Sequence, residues 1–276
     1  MKIEKKRFDE ERALFRIDSC TVDSCKFSGK QDGESPLKET HDIAVKNCDF
    51  DLRYALWHCR DSVVENCKFS NSARAPFWYD KNLNLEGVIS DAPKAFRECK
   101  QINIKNCNIL SEEPFWKISN LSANSCKFSG FYGFFTCKNL YLDNINFEGK
   151  YSFQYCKNVV IKNSVLNTKD AFWHTEKVRV ENSIIKGEYI GWYSKNLTFV
   201  NCTIESHQGF CHCKGIKFIN CKLPNSDLVF EDSVVKGNII GKVDSIKNLK
   251  RGKVVAESVG SIISDMNRKF AKIITR

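Results

Sequence analysis

The chain has 276 residues, of which 42% are hydrophobic and 28% charged, and its 43 Lys plus Arg against 33 Asp plus Glu give a net charge of +10. That length buries a substantial core, and the composition, with only 5 Pro, excludes a disordered, collagen-like or proline-rich chain. No apolar run approaches the roughly 20 residues that a membrane-spanning helix needs.

The N-terminus, Met1-Lys2-Ile3-Glu4-Lys5-Lys6-Arg7, is positive but has no apolar stretch after it. It does not read as a secretory signal, so a cytoplasmic location and no membrane partner are expected. Residues 1–16 are expected to form an N-terminal cap. From residue 17 a pattern recurs: apolar-x-apolar-x-Asn-Cys/Ser-x-Phe/Ile. Its Asn falls at Asn47, Asn66, Asn106, Asn144, Asn163, Asn182, Asn201 and Asn220, with Ser24 and Ser125 in the same slot of two more copies. Between Asn106 and Asn220 every step is 19 residues. The copy around Gly87 is expected to be irregular, and extra residues enter near Gly29 to Gly33.

Counting from the Asn, apolar residues at −4 and −2 (Ile102 and Ile104, Val178 and Val180) alternate as in a half-buried strand. Apolar residues at +3 (Phe50, Phe69, Phe128, Phe147) and at −10 (Phe96, Phe115, Phe134, Phe153, Phe172) belong to a second and a third short strand. Three strands in 19 residues leave no room for a helix, which disfavours a leucine-rich repeat. The expected fold is therefore all-β, a single-stranded right-handed parallel β-helix of about 19 residues per coil and about 11 coils. Residues 17–223 form the helix, with the Asn column as an inward ladder. Residues 224–276 form a C-terminal cap and basic tail, in which 264–276 is a short helix or a tail.

Of 14 cysteines, seven sit at +1 (Cys25, Cys48, Cys67, Cys107, Cys126, Cys202, Cys221) and five at −7 (Cys59, Cys99, Cys137, Cys156, Cys213). Ser164, Ser183 and Thr175 take the same slots, so the slots want a small side chain, and buried free thiols are expected. Parallel columns aim their Cβ vectors alike, which is poor disulfide geometry. No Cys-x-x-Cys spacing supports zinc, and no metal or other cofactor is expected.

All five tryptophans lie at offsets −9 and −8 or in the matching place of the irregular coil, among pairs such as Trp57/His58, Trp173/His174 and Trp192/Tyr193. A charged column runs just upstream. Together they define an expected ligand-binding face: Glu34, Lys38, Arg53, Arg74, Trp78, Lys94, Arg97, Lys169, Trp173, His174, Trp192 and His207. Aromatic rings beside charged hydrogen-bonding groups suit an oligosaccharide or polysaccharide. Asp170 and Glu188, one coil apart, are the candidate catalytic acids. A second basic column (Arg60, Lys100, Lys138, Lys157, Lys195, Lys214) reads as a solvated edge, and no nucleic-acid motif accompanies it.

The repeating Asn coil resembles the pectate-lyase-like right-handed β-helix superfamily. Five segments are more closely similar to a bacterial family of that fold to which no reaction is assigned: residues 11–15 (Glu-Arg-Ala-Leu-Phe), 33–39 (Gly-Glu-Ser-Pro-Leu-Lys-Glu), 92–97 (Ala-Pro-Lys-Ala-Phe-Arg), 169–174 (Lys-Asp-Ala-Phe-Trp-His) and 187–192 (Gly-Glu-Tyr-Ile-Gly-Trp). The resemblance implies the fold and, through the wider superfamily, a lyase- or hydrolase-like role on glycans. The acid clusters that hold Ca²⁺ in such lyases and the motif set of such hydrolases are not found in this sequence. Two functions therefore stand side by side: a carbohydrate-binding or carbohydrate-active protein, and a non-catalytic scaffold for a protein partner or a homo-oligomer.

Overall fold

A computed structural model describes residues 1–29, 33–265 and 270–276. The chain divides into two compact units, Met1–Tyr141 and Leu142–Arg276. Each is wound as a single-stranded right-handed parallel β-solenoid with coils of about 19 residues and strands capping the termini. Among the described residues no helix is long and apolar enough to cross a membrane.

In the first unit, six-residue strands stack in parallel and in register: Asp18–Asp23 on His41–Lys46, then Arg60–Glu65, Lys81–Glu86 and Lys100–Lys105. Their inward residues repeat the −4 and −2 slots, so Leu83 lies between Ser62 and Ile102, and Leu85 between Val64 and Ile104. Lys2–Glu4 pairs with residues 21–23. In the second unit Lys157–Lys162, Glu176–Glu181, Lys195–Val200 and Lys214–Lys222 stack the same way.

Because like side chains lie directly above one another, phenylalanines form rings stacked at the coil spacing. Phe27, Phe50 and Phe69 have centroids 4.5 and 4.6 Å apart and are nearly parallel. Phe77, Phe96 and Phe115 continue at 4.6 and 4.9 Å. In the second unit Phe153 stacks on Phe172 at 4.9 Å. Each fully buried ring contributes about 1.5–3 kcal/mol by area alone.

The third strand is present only in part. Leu56–Trp57, Phe77–Trp78, Phe96–Arg97 and Phe115–Trp116 form a four-stranded parallel sheet in the first unit. At Phe134, Phe153, Phe172 and Phe210 the backbone turns left-handed instead, with φ of 58 to 61°. The side chains stay buried, so the hydrophobic column survives where the strand does not.

The Asn column differs from expectation in its direction. Asn47, Asn66, Asn163, Asn182 and Asn201 are exposed, each with φ near 50°. Asn tolerates this left-handed conformation better than most residues. The ladder is real but lies outside: Asn201 Nδ2 donates to Asn182 Oδ1 at 3.1 Å, Asn163 to Asp143 at 2.8 Å and Asn47 to Asp23 at 3.0 Å. Gly87 takes the Asn slot in register, contrary to the expected irregularity, and the extra residues lie instead between Asn66 and Gly87. A Cβ on Gly87, at φ +65°, would meet Asn66 Oδ1 at 2.4 Å.

The residue after this corner turns inward, and here the cysteines acquire a role beyond filling space. All 14 are free and buried. Cys107 Sγ accepts the Val88 N–H at 3.4 Å and donates to the Lys105 carbonyl at 3.1 Å. Cys67 repeats this with the Cys48 N–H and the Glu65 carbonyl. In the second unit Ser183 Oγ takes the Ser164 N–H at 3.0 Å and donates to the Glu181 carbonyl at 2.7 Å. The −7 slot works similarly: Ser194 Oγ accepts the Thr175 N–H at 2.8 Å and donates to the Phe172 carbonyl at 2.6 Å. A buried corner amide must find a partner, and a thiol or hydroxyl is small enough to supply one.

At the C-terminal end the described residues differ from the expected helix or tail. Ala271–Thr275 is a strand paired in parallel with Arg251–Ala256, and 266–269 lie outside the described residues.

Ala and Ser lose the same sulfur packing at position 107, but only Ser keeps both hydrogen-bonding functions. Cys107→Ala should cost about 1–3 kcal/mol through the stranded Val88 amide, and Cys107→Ser should recover most of that. Urea unfolding of the two variants checks it; equal losses would show that the slot only needs volume.

Candidate functional site

The expected binding-face residues fall into two groups, one on each unit. On the first unit Glu34 and Arg53 are backbone-bridged neighbours joined by a 3.3 Å ion pair, and the Arg53 guanidinium lies 5.8 Å from the Tyr54 ring centre. The Lys38 ammonium sits 5.1 Å from the Trp57 ring centre. Arg97 is held between two indoles, 4.7 Å from Trp78 and 5.1 Å from Trp116. Trp78 Nε1 donates to the Lys94 carbonyl at 2.8 Å, and the Lys94 ammonium is 3.8 Å from Glu113. Arg74 is exposed and contributes its carbonyl to the Tyr54 N–H.

On the second unit the structure brings Lys169, Asp170, Trp173, His174, Glu188, Trp192 and His207 onto neighbouring coils. Trp173 and Trp192 stack at 5.5 Å, and their Nε1 atoms donate to the Tyr189 and Gln208 carbonyls at 2.6 and 2.7 Å. They are half-buried and tied into the fold. Outside them runs a second ladder of rings at the −8 corner: Tyr155, His174, Tyr193 and His212 stack in order at 5.1, 5.1 and 4.9 Å. Each has a left-handed backbone, which turns the ring outward at a corner of the coil. The ring faces within this ladder cover one another, so what it offers to solvent is its edges, with Tyr193 45% exposed. The expectation of free ring faces for sugar stacking is not met here.

Beside the ladder the charges are arranged in pairs. Lys169 Nζ lies 2.6 Å from Glu188 Oε2 and over the Tyr189 ring at 5.2 Å. The Lys169 hydrogen bond holds the Glu188 carboxyl below the usual range. Asp170, which donates its N–H to the Glu188 carbonyl at 2.9 Å, is only 7% exposed, and burial pushes its carboxyl up. Two neighbouring carboxyls are thus moved in opposite directions. His207 Nδ1 is 2.9 Å from Asp227, and its ring stands edge-on to Tyr189. Among the described residues no group of three or more His, Cys, Asp or Glu could hold a metal ion.

The first unit also holds a titratable group outside the expected face. Asp80 occupies the −7 slot that is Cys at 59 and 99. It is 1% exposed; Oδ1 accepts the Cys59 N–H at 2.8 Å, and Oδ2 has no partner among the described residues. Burial raises its pKa well above the ordinary carboxylate value. An acid in a column otherwise filled by Cys, Ser, Thr and Ile118 was the available signal. An open groove of about 570 Å³ passes over it, lined by Arg60, Lys81 and Lys100, which stand in register on successive strands.

A family model described as "Protein of unknown function (DUF3737)" matches residues 1–275, and the chain belongs to that family. Among curated proteins nothing matches. Among the solved structures of similar fold are an adhesin and a phage tailspike. One is PfbA, a surface adhesin of Streptococcus pneumoniae, at 7% identity and a TM-score of 0.45, covering 99% of this chain and 84% of that one. The other is the tailspike protein of E. coli bacteriophage HK620 in complex with pentasaccharide, at 10% identity and a TM-score of 0.41, covering 94% of this chain. The chain spans 60% of that tailspike's length.

Asp80 gives a pH prediction whose sign is fixed. The folded carboxyl holds its proton more tightly than the unfolded one, so stability falls as pH rises from about 4 toward the folded pKa, at up to about 1.4 kcal/mol per pH unit. Asp80→Cys, which restores the slot's usual residue, should remove that pH-dependent loss above about pH 4 and raise the urea midpoint at neutral pH. A wild-type-minus-variant difference that does not change with pH would contradict a buried, protonated Asp80.

Proposed function

We propose that the protein binds a glycan along the second unit, on the strip formed by the Tyr155–His174–Tyr193–His212 ring ladder and the charged groups beside it. The observation that carries this reading is the row of outward ring edges, one per coil, each presenting a phenol hydroxyl or an imidazole nitrogen at about 5 Å intervals. Such a row can donate and accept along a hydroxyl-rich chain that runs across the coils. Lys169, Glu188 and His207 supply charged hydrogen bonds on the same strip, while Trp173 and Trp192 fix the backbone that carries the ladder.

Asp170 and Glu188 supply a candidate chemistry. A carboxyl whose proton burial holds more tightly, beside one whose ionised form Lys169 favours, is the division of labour of a general acid and a carboxylate partner in glycoside cleavage. Asp170 would protonate the leaving oxygen, and Glu188 would face the developing charge or activate water. The opposed directions of the two groups favour this reading. The Lys169–Glu188 ion pair, on its own, would equally serve to hold two coils together.

Binding on a glycan array, followed by turnover on whatever is bound, tests both levels. Tyr193→Phe and Tyr155→Phe keep the ring stack and remove one hydroxyl each. Each should weaken glycan binding by roughly threefold to tenfold, and Tyr193→Ala by more. If the bound glycan is cleaved, Asp170→Asn and Glu188→Gln should abolish cleavage while leaving binding in place. A folded wild-type protein that retains no glycan, or binding untouched by both Tyr→Phe changes, would overturn the assignment of this strip.

A further inference from the structure

Where outward side chains stack in register along the solenoid, a lysine often meets a glutamate. Lys157 pairs with Glu176, Lys162 with Glu181 and Lys186 with Glu205, each at 2.9–3.5 Å between in-register strands. In the first unit Lys46 pairs with Glu65 and Lys105 with Glu86. The second unit departs furthest from this alternation near its C-terminal end. Across strands Lys214–Lys222, Val234–Ile240, Arg251–Ala256 and Ala271–Thr275, four lysines stand directly opposite one another: Lys217, Lys236, Lys253 and Lys272. All four are exposed, and none has a carboxylate partner among the described residues. Like charges directly opposite on a sheet destabilise it. At the inter-strand spacing the row runs about 14 Å in a straight line.

The columns beside the row are mostly apolar. Two residues further along the strands come Ile219, Asn238, Val255 and Ile274, with Ile219 44% and Ile274 38% exposed. On the other side Phe270, paired with Gly252 through the backbone and 72% exposed, lies under the Arg251 guanidinium. A shallow concavity of about 470 Å³ between the lysines is lined by Ile219, Gly237, Val255 and Arg276.

We infer that this lysine-faced sheet is a docking surface for an anionic lipid bilayer. The row supplies cations for the headgroups, and the flanking aliphatic side chains and Phe270 supply the apolar contact below them. A nucleic acid strand would need free ring faces on which to stack bases, and the one ring here already carries a guanidinium. An acidic glycan would need neutral hydrogen-bonding groups beside the lysines, where Asn238 is the one neutral polar side chain in the flanking columns. The face is distinct from the ring-ladder strip, so it does not depend on glycan binding.

Sedimentation of the full chain with phosphatidylcholine vesicles, with and without phosphatidylserine, tests the inference. Binding should require phosphatidylserine and weaken as salt rises. Each of Lys217→Gln, Lys236→Gln, Lys253→Gln and Lys272→Gln should lower the partition coefficient about fivefold, and the quadruple change roughly several hundredfold. The quadruple variant should unfold at the same temperature as wild type or higher, because it removes repulsion. Removing four ion-paired lysines instead (Lys157, Lys162, Lys186 and Lys242→Gln, the last paired with Asp244 at 3.2 Å) should cost far less binding. Phe270→Ser with Ile274→Ser should remove the binding that survives high salt. No retention on phosphatidylserine vesicles, equal loss in the two quadruple variants, or binding unmoved by the Phe270 and Ile274 changes would each overturn the lipid assignment. The last result together with tight capture by heparin would assign the row to a soluble polyanion.

Discussion

A solenoid coil of about 19 residues must turn sharply several times, and each turn buries backbone amides that no strand can reach. Satisfying those amides is the constraint on which the rest of this structure depends. The chain meets it with side chains that both accept and donate within a very short reach. Cys107 stands between the Val88 amide and the Lys105 carbonyl, and Ser183 between the Ser164 amide and the Glu181 carbonyl. Alanine would fit the volume but leave the amide stranded, and a larger polar side chain would not fit. This accounts for the twelve cysteines of the two corner slots, all of them free and buried. The left-handed corner one residue earlier favours Asn, Ser or Gly for its backbone, and the Asn side chains hydrogen-bond from coil to coil on the outside.

Much of this was legible in the sequence because the fold is one-dimensional: a period found once applies to every coil, and burial at −4, −2 and +3 repeats faithfully. Three features escaped for physical reasons. The Asn column looked inward because buried residues lie at −2 and +1, yet its left-handed backbone leaves the Asn itself exposed at the corner. The ring ladder was visible as a column, but sequence cannot say whether rings one coil apart stack on one another or present their faces. Here the coil spacing and the stacking distance coincide, so the rings satisfy each other first. Asp80 was hidden by its own alignment, an acid in a slot whose other occupants are neutral. The lysine row was missed for a different reason. It lies mostly beyond Leu223, where the Asn pattern ends and the step from Lys236 to Lys253 is shorter than a coil, so the 19-residue period does not reveal the register that the strands keep.

The same stacking logic shapes what the surface can do. Wherever outward charges alternate between coils they cancel, and those edges hold the solenoid together without offering much to a partner. Function is to be sought where cancellation fails or where polar edges face outward. Two places in the second unit meet that condition most fully: the ring ladder with its unequal carboxyl pair at Asp170 and Glu188, and the four in-register lysines. The first suits hydroxyl-rich ligands and the second an anionic surface, and they call on different strands and different residues. In the first unit the charged groups near Trp57, Trp78 and Trp116 are engaged with those indoles, which makes them parts of the packing more than a waiting site.

Amide hydrogen exchange, resolved to single residues under native conditions, tests the central claim most directly. The corner amides of Cys48, Val88, Ser164 and Thr175 have side-chain acceptors only, and they should be protected as strongly as the strand amides on either side of them. Exchange at the rate of open turn amides would show that the thiols and hydroxyls do not hold the corners, and the account of this sequence would fail at its base.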